Sequence, residues 1–355
     1  MFGAIIKNYR IQQNLNLKEV AQLLAIDPSL LSRIERNERA ATENQVRDLA
    51  TIFKINAADL LTNWLEDKLV GVLKQYPTIA ADVVKAMESR VEYLTGPKAL
   101  ERFPVSVELQ AQLERIDDLR TKWQEKKPAT GTQLTKLNEA FGVEYTYESN
   151  RIEGNTLTLQ ETYLVIHQGL TISGKSMQEH LEAINHDEAI EFVMDLVKNN
   201  TEITEYRVKQ LHQLVLKGID RKNAGVYRSV PVRIGGSEHI PPEPYMLGKL
   251  MEDLFVFYEA EKHQMHPVLL AAEMHERLAT IHPFIDGNGR TSRLLMNLIL
   301  VRHGYTIAIL KGSNENRLAY YNALAAVQSD ANTAPFYALI ANAVEQILQA
   351  HLALV

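Results

Sequence analysis

The chain has 355 residues, of which 46% are hydrophobic and 23% charged, and its formal net charge is −6. These values are typical of a globular protein of two or three domains and exclude disorder and a uniformly basic surface. The absence of cysteine excludes disulfides, thiolate metal sites and a thiol nucleophile. With no signal-peptide pattern and no apolar run long enough to span a bilayer, we expect a cytoplasmic protein without a membrane partner.

Apolar residues recur at helical spacing through most of the chain, for example in 17–25, 44–53, 246–258 and 266–281. Proline and glycine clusters at 95–106 and 125–133 predict linkers between the helical parts. The sequence therefore predicts an all-α protein with an N-terminal domain at 1–65, a helical connector at 66–130 and a larger domain at 131–355.

The segment 226–242 departs from this helical pattern. Its β-branched residues lie on both sides of Gly235 and Gly236, a glycine pair that favours a tight turn. Its prolines are compatible only with an edge strand. We therefore predict one β-hairpin in an otherwise helical fold.

Residues 1–62 predict a helix-turn-helix. Two helical segments, 17–25 and 28–39, are separated by a break at which Asp27 can cap the second helix and Pro28 can occupy its first position. On these residues alone, a four-helix structural module is the alternative.

The segment resembles the phage-repressor (XRE) type of helix-turn-helix, and five residues carry the recognition-helix pattern: Leu31, Ser32, Ile34, Glu35 and Arg39. The resemblance implies that duplex DNA binds at 1–62, with Lys18 near a phosphate and three side chains in the major groove, Ser29, Leu30 and Arg33. Eight Lys and Arg against seven Asp and Glu leave 1–62 with a charge of +1. Because so small a charge attracts DNA weakly, we expect specific binding to require a homodimer.

The stretch HPFIDGNGRTSR at 282–293 concentrates polar chemistry immediately before an apolar helix. An EF-hand alignment fails because Phe284 and Leu295 would have to be oxygen ligands. A P-loop alignment fails because Phe284 stands where its first glycine is needed. A solvated turn would explain the glycines but not the histidine, the aspartate and the two arginines.

The residues of this stretch predict an anion-binding site. Gly287 and Gly289 allow close backbone approach at the start of a helix, where free N–H groups and the helix dipole favour phosphate. Arg290 and Arg293 are three residues apart, so they share one face of that helix.

Asp286 and His282 extend the prediction from binding to chemistry. Asp286 would repel a phosphate unless a cation lay between them, which predicts an Mg²⁺ ligand. His282 is the nearby side chain that can accept a proton at neutral pH. Together these groups predict the attack of a hydroxyl on a nucleotide phosphate.

The same stretch matches the HxFx(D/E)GNGRxxR signature of the Fic family, whose members mostly transfer AMP from ATP to protein hydroxyls. With its flanks, the resemblance covers roughly 135–350 and implies a Fic-type helical bundle with ATP as co-substrate. It implies that His282 is the base, that Phe284 anchors the loop and that Asp286 binds Mg²⁺. It assigns the phosphates to an anion hole of Gly287, Asn288 and Gly289, to Arg290 at the α- and β-phosphates, and to Arg293 at the γ-phosphate.

The resemblance implies functions for two further segments. The hairpin predicted at 226–242 would be the family's flap, which lies along an extended segment of the target protein by strand addition. The run 319–328 would line the adenine pocket, with Tyr321 and Gln328 contacting the base. Ordinary helix packing is the alternative for these side chains.

The run SNRIEGN at 149–155 resembles the family's inhibitory (S/T)xxxE(G/N) motif, which aligns with Ser149, Glu153 and Gly154. This places an inhibitory helix near 145–154. The alternative is a plain helix end, with Gly154 as C-cap and a solvated glutamate.

We therefore expect an autoinhibited, Mg²⁺-dependent protein adenylyltransferase that modifies a Ser, Thr or Tyr hydroxyl. Two alternatives stay open at this point. The same site could remove AMP from a modified protein, with Glu153 orienting a water molecule. The chain could instead be a DNA-binding transcriptional regulator whose Fic core senses nucleotide.

Overall fold

A computed structural model describes residues 2–81, 83–84, 105–127 and 131–355. The chain divides into two compact units, Met1–Gly96 and Pro97–Val355. The three domain boundaries expected from the sequence stay predictions. Most of the linker predicted at 95–106 and the centre of the one at 125–133 lie outside the described residues.

Five helices of the first unit lie wholly within the described residues: α1 Phe2–Gln12, α2 Leu17–Leu23, α3 Pro28–Glu35, α4 Glu43–Phe53 and α5 Ala57–Leu73. Asn16 and Thr42 begin α2 and α4 with capping boxes, and the Asp27 carboxylate caps α3 by accepting the Ser29 N–H at 2.7 Å. Apolar side chains from all five helices form one core. The helix-turn-helix predicted at α2 and α3 is therefore confirmed as a structure.

The described part of the second unit is also helical, with a single 3₁₀ turn at Pro244–Met246. Its described helices are α6 Val107–Lys126, α7 Thr132–Ile152, α8 Leu159–Gln168, α9 Met177–Lys198, α10 Glu205–Val215, α11 Leu247–Glu261, α12 Pro267–Ile281, α13 Asn288–Arg302, α14 Asn314–Asp330 and α15 Ala334–Leu352. The all-α prediction is confirmed for the described residues. None of the helices seen in this part of the structure is long and apolar enough to cross a membrane.

Helix α13 lies at the centre of this unit. It packs against α12 and contacts α7, α9 and α10 as well. Its side chains from Arg290 to Leu300 are buried, which explains why the sequence from Leu294 to Leu300 is apolar on all sides apart from Asn297. Asn297 interrupts the apolar run because its amide binds the backbone of Ala308 in both directions, at 3.0 and 2.8 Å.

The β-hairpin predicted at 226–242 is wrong, since the structure assigns no strand in that segment. The turn itself forms: Gly236 has φ +75° and the Ser237 N–H binds the Ile234 carbonyl at 3.2 Å. The arms do not pair because Pro231, Pro241 and Pro242 have no N–H to donate. Polar groups of the arms bind the end of α12 and the turn that follows it instead.

Candidate active site

The turn between α12 and α13 carries the stretch singled out by the sequence. His282 ends α12 in a left-handed conformation, φ +50°, which is uncommon for a residue other than glycine. Its Nδ1 lies 3.3 Å from the Ala279 carbonyl, so the neutral ring donates from Nδ1 and keeps Nε2 as the proton acceptor. Burial, aided by the charge of Arg228, holds the pKa of His282 below its usual value.

Phe284 anchors this turn in the core. Its ring is fully buried and stacks on the His212 ring, with centroids 3.6 Å apart and an interplanar angle of 6°. The Asn288 side chain closes the turn, since it accepts the Phe284 N–H at 3.0 Å and donates to the Phe284 carbonyl at 2.9 Å. Asn288 therefore shapes the loop through its side chain.

His212 is a supporting residue that the sequence reading missed. Its Nδ1 accepts the Gly225 N–H at 2.8 Å, so Nε2 carries the proton and donates to the Asp286 carbonyl at 2.8 Å. Burial lowers the pKa of His212 to about 4, which keeps this ring neutral. A lone histidine on an amphipathic helix gives no sequence signal for such a contact.

Gly287 begins α13 with φ +75°, and a Cβ at this position would lie 3.3 Å from the His212 ring. The Asp286 carboxylate accepts the Gly287 N–H at 2.7 Å, and its other oxygen lies 3.4 Å from Arg290 Nη2. The side chain of Asp286 is 60% exposed, so at least part of the carboxylate faces outward at the helix start.

Arg290 and Arg293 are both buried beneath this helix start. Arg290 Nη1 lies 3.4 Å from Glu182, while Arg293 donates from Nε to the Ser149 hydroxyl at 2.9 Å and from Nη2 to the Ser149 carbonyl at 3.0 Å. Within the described part of the chain, three of their buried nitrogens have no hydrogen-bond partner: Arg290 Nε, Arg290 Nη1 and Arg293 Nη1. Buried donors without acceptors are costly, and their chemistry fits the oxygens of an anion.

The Glu153 carboxylate already lies in this anion-binding cradle. It accepts a hydrogen bond of 2.6 Å from Arg293 Nη2, and a Cβ built on Gly289 would overlap it. Burial raises the pKa of Glu153, but Arg293 and then Arg290 outweigh burial and hold it below the usual range. The carboxylate is therefore ionised where a phosphate is expected.

Both interpretations of the 149–155 run describe part of this geometry. Glu153 is the C-cap of α7, and Gly154 leaves the helix with φ +99°, as a capping glycine does. Ser149, one turn earlier, faces Arg293 together with Glu153. The glycine thus ends the helix where the glutamate reaches the arginine.

Comparison with known proteins agrees with this geometry. Residues 202–300, which include the whole 282–293 stretch, match the Fic/DOC family. The chain carries a Fic domain. Residues 3–66 match a helix-turn-helix domain family, so the first unit carries that domain as well.

The relatives of the Fic domain include "Protein adenylyltransferase Fic" from Drosophila grimshawi, which is 37% identical over 220 residues, 62% of this chain and 44% of that protein. The protein of the same name from Culex quinquefasciatus is 36% identical over 245 residues, 68% of this chain and 48% of that protein. The chain thus spans less than half the length of these two relatives.

Two solved structures share the fold. A fragment of Fic-1 from C. elegans is 26% identical with a TM-score of 0.63, covering 95% of this chain and 96% of that one. A Fic domain containing signaling protein from Bacteroides thetaiotaomicron is 29% identical with a TM-score of 0.61, covering 67% of this chain and 97% of that one.

Beside Glu153, the Fic domain has a hollow of about 460 Å³ whose lining comes from the end of α7 and the start of α14. Tyr321 lines it and donates to the Ile152 carbonyl at 3.2 Å. Gln328 lies two turns further along α14, where its amide donates to the Thr280 hydroxyl at 3.3 Å. Of the two predicted adenine contacts, Tyr321 therefore borders the hollow and Gln328 binds the end of α12.

In the helix-turn-helix domain, three of the four predicted DNA contacts are exposed: Lys18, Ser29 and Arg33. Leu30 is half-buried and packs against the domain core. Its placement fits a structural role more readily than a base contact.

Proposed function

We propose that the protein is an autoinhibited, Mg²⁺-dependent protein adenylyltransferase, which transfers AMP from ATP to a Ser, Thr or Tyr hydroxyl of a target protein. The observation that carries the proposal is the Glu153 carboxylate bonded to Arg293 within the anion cradle of a complete catalytic turn. The names of the curated relatives support the reaction class.

His282 is suited to be the general base. Its neutral Nε2 takes the proton of the target hydroxyl while the hydroxyl oxygen attacks the α-phosphorus of ATP. A new bond forms between that oxygen and phosphorus, and the bond from the α-phosphorus to the bridging oxygen breaks, so pyrophosphate leaves. The left-handed turn at His282 fixes the ring relative to the helix start that receives the phosphates.

The phosphates are assigned to the start of α13. The helix dipole and the N–H groups of this helix start, around Gly287, Asn288 and Gly289, favour an anion, and Arg290 and Arg293 add two buried charges. One outward-facing carboxylate beside a phosphate site matches the donors Mg²⁺ uses with a nucleotide, so Asp286 would hold the ion. When bound, Mg²⁺ would neutralise charge on the phosphate oxygens.

Autoinhibition follows from competition for Arg293. A guanidinium accommodates a carboxylate or a phosphate equally well, and Glu153 occupies the position proposed for the γ-phosphate. If ATP binds beside Glu153, its α-phosphate would not be in line with the attacking hydroxyl of the target protein. The Glu153 side chain is 32% exposed, so it can leave Arg293 without the core opening.

The flap and the hollow supply binding sites for the two substrates. The segment 226–242 runs beside the catalytic turn with most of its residues at least partly exposed, which suits an extended stretch of target protein. The hollow beside Glu153 suits the adenine, with Tyr321 at its border and Gln328 near the end of α12.

Duplex DNA binding is a second function that a specific observation favours, namely the helix-turn-helix domain at residues 3–66. We expect the full chain to bind duplex DNA as a homodimer, with affinity falling steeply as salt rises. Arg33→Ala should weaken binding, whereas Lys74→Ala, an exposed charge at the end of α5, should not. Equal binding by the two variants would contradict this role.

Labelling tests the enzymatic proposal. Glu153→Gly protein is incubated with Mg²⁺, cell lysate and ATP labelled on either the α- or the γ-phosphate. Protein labelling from the α-position alone supports AMP transfer, and labelling from the γ-position alone overturns it in favour of a kinase. Release of AMP from a pre-modified protein by the parent chain, without α-labelling by the variant, would instead identify a de-AMPylase.

A further inference from the structure

Arg228 connects three parts of the Fic domain, namely the His282–Pro283 turn and the two arms of the flap at 226–242. Its Nε donates to the His282 carbonyl at 2.8 Å, and its backbone N–H donates to the Pro283 carbonyl at 2.9 Å. Its other two nitrogens bind the two arms of the flap, Nη1 at the Val230 carbonyl, 3.2 Å away, and Nη2 at the Pro242 carbonyl. One side chain thus connects both arms of 226–242 to the turn that holds the base.

The surroundings of Arg228 are unusual for a buried charge. Only 4% of the residue is exposed, and its hydrogen-bond partners in the described structure are all carbonyl oxygens. Burying a guanidinium is costly, so the position is stable only while those carbonyls stay in place. The left-handed backbone at His282 lies directly at one of these contacts.

We propose that Arg228 is a positioning residue for the transfer reaction: it clamps both arms of the flap to the His282–Pro283 turn, so that a hydroxyl docked on the flap is aligned with the base. The inference rests on the proposed adenylyltransferase function. It assigns to Arg228 no contact with ATP or with the reacting atoms. A loosened clamp therefore lowers the rate of transfer and leaves nucleotide binding unchanged.

The charge of Arg228 adds a second effect that a purely structural residue would not have. Burial lowers the pKa of His282, and the charge of Arg228 lowers it further; the imidazole also faces Glu153 and His239. In a protein that lacks Glu153, an uncharged replacement at Arg228 leaves His239 in place but removes one influence that favours the neutral imidazole. The pH at which transfer is half-lost should therefore rise when the charge is removed and stay lower when lysine retains it.

The test compares Arg228→Met and Arg228→Lys in the Glu153→Gly background. Arg221→Met is the matched control, since Arg221 is exposed in the loop before the flap. Misalignment predicts a loss of kcat of about 10²-fold for Arg228→Met, with ATP affinity unchanged. Lysine, which keeps the charge and can still reach a carbonyl, should restore part of the rate, and the control should match its background.

Limited trypsin digestion tests whether Arg228 holds the flap and does not depend on AMP transfer. Arg233 is an exposed cleavage site within the flap, and faster cleavage there is expected for Arg228→Met than for Arg221→Met. Equal cleavage of these two variants, or an unchanged kcat in Arg228→Met, would overturn the inference. If the Glu153→Gly protein itself transfers no AMP, the proposed function fails, while trypsin still decides whether Arg228 holds the flap.

Discussion

The Glu148 carboxylate accepts a hydrogen bond of 2.7 Å from the buried N–H of Gly312, across 164 residues of sequence. Lys311 strengthens this connection, because its ammonium binds Glu144 and lies 3.8 Å from Glu148. The contacts hold the last turns of α7 against the segment that leads into α14. The helix that presents Glu153 is thereby fixed to the segment before α14, whose first turns line the hollow beside Glu153.

Gly312→Ala should loosen this arrangement and raise AMP labelling. A Cβ at this position would lie 2.9 Å from the Glu148 carbonyl and from Arg151 Cβ, so α7 would have to move. We expect several-fold more self-labelling from α-labelled ATP than in the parent chain. Gly248→Ala is the control, since a Cβ there meets nothing within 4 Å. Labelling equal to that of Gly248→Ala would mean that the contact does not restrain Glu153.

His282→Ala, tested in the Glu153→Gly background, should abolish transfer and leave ATP binding nearly intact. In the proposed mechanism the histidine acts on the target hydroxyl, whereas other groups bind the phosphates. Loss of a general base typically lowers a rate by about 10²–10⁴-fold. Steady-state rates and calorimetry with a non-hydrolysable ATP analogue measure the two effects separately. A variant with its full transfer rate would remove His282 from the role of base.

The pH dependence of transfer should reflect the lowered pKa of His282. The group works in its neutral form, so activity is complete above its folded pKa and is lost as the pH falls through that value. Because burial and Arg228 hold this pKa below about 6.5, we expect the Glu153→Gly protein to keep more than half of its maximal rate at pH 6.5. Loss of half the maximal transfer rate at or above pH 6.5 would contradict the assignment of His282 as the base.

Asp286→Asn should lower the rate of AMP transfer and raise the Mg²⁺ concentration at which transfer is half-maximal. The substitution keeps the size of the side chain but removes the charge proposed to hold the ion. Excess EDTA should stop transfer by the Glu153→Gly protein, and added Mg²⁺ should restore it. A rate that survives EDTA would exclude a metal from the reaction and leave the Asp286 carboxylate with its contacts to Gly287 and Arg290.

The turn at 282–293 was predictable because it is a short motif whose chemistry is local, whereas Glu153 was singled out only by the resemblance of 149–155 to an inhibitory motif. His282, Asp286 and Arg290 lie within nine residues, on the turn between α12 and α13 and in the first turn of α13. The helices were predictable for the same reason, since apolar spacing reports on one helix at a time. The sequence also predicted that Asp27 caps α3, and the structure confirms this cap.

The residues that support the site escaped prediction because their contacts cross long stretches of sequence. His212 binds Asp286 across 74 residues and Arg228 binds His282 across 54, and neither residue stands in a recognisable pattern. The hairpin prediction failed for a related reason. β-Branched residues around a glycine pair favour strands, but they cannot reveal that His239 and Arg228 direct the arms toward α12 and its turn instead.

The central claim is that Glu153 inhibits transfer by competing with the γ-phosphate for Arg293. It is tested most directly by AMP incorporation from α-labelled ATP at saturating ATP and Mg²⁺, in the parent chain, in Glu153→Gly and in Glu153→Gly with Arg293→Ala. A charge-assisted hydrogen bond contributes about 1.5–3 kcal/mol, which corresponds to roughly a ten- to hundredfold change in the competent fraction. Glu153→Gly should gain incorporation by that factor, and adding Arg293→Ala should remove the gain. Incorporation by Glu153→Gly no higher than that of the parent would contradict the account and leave Glu153 and Gly154 as a helix end.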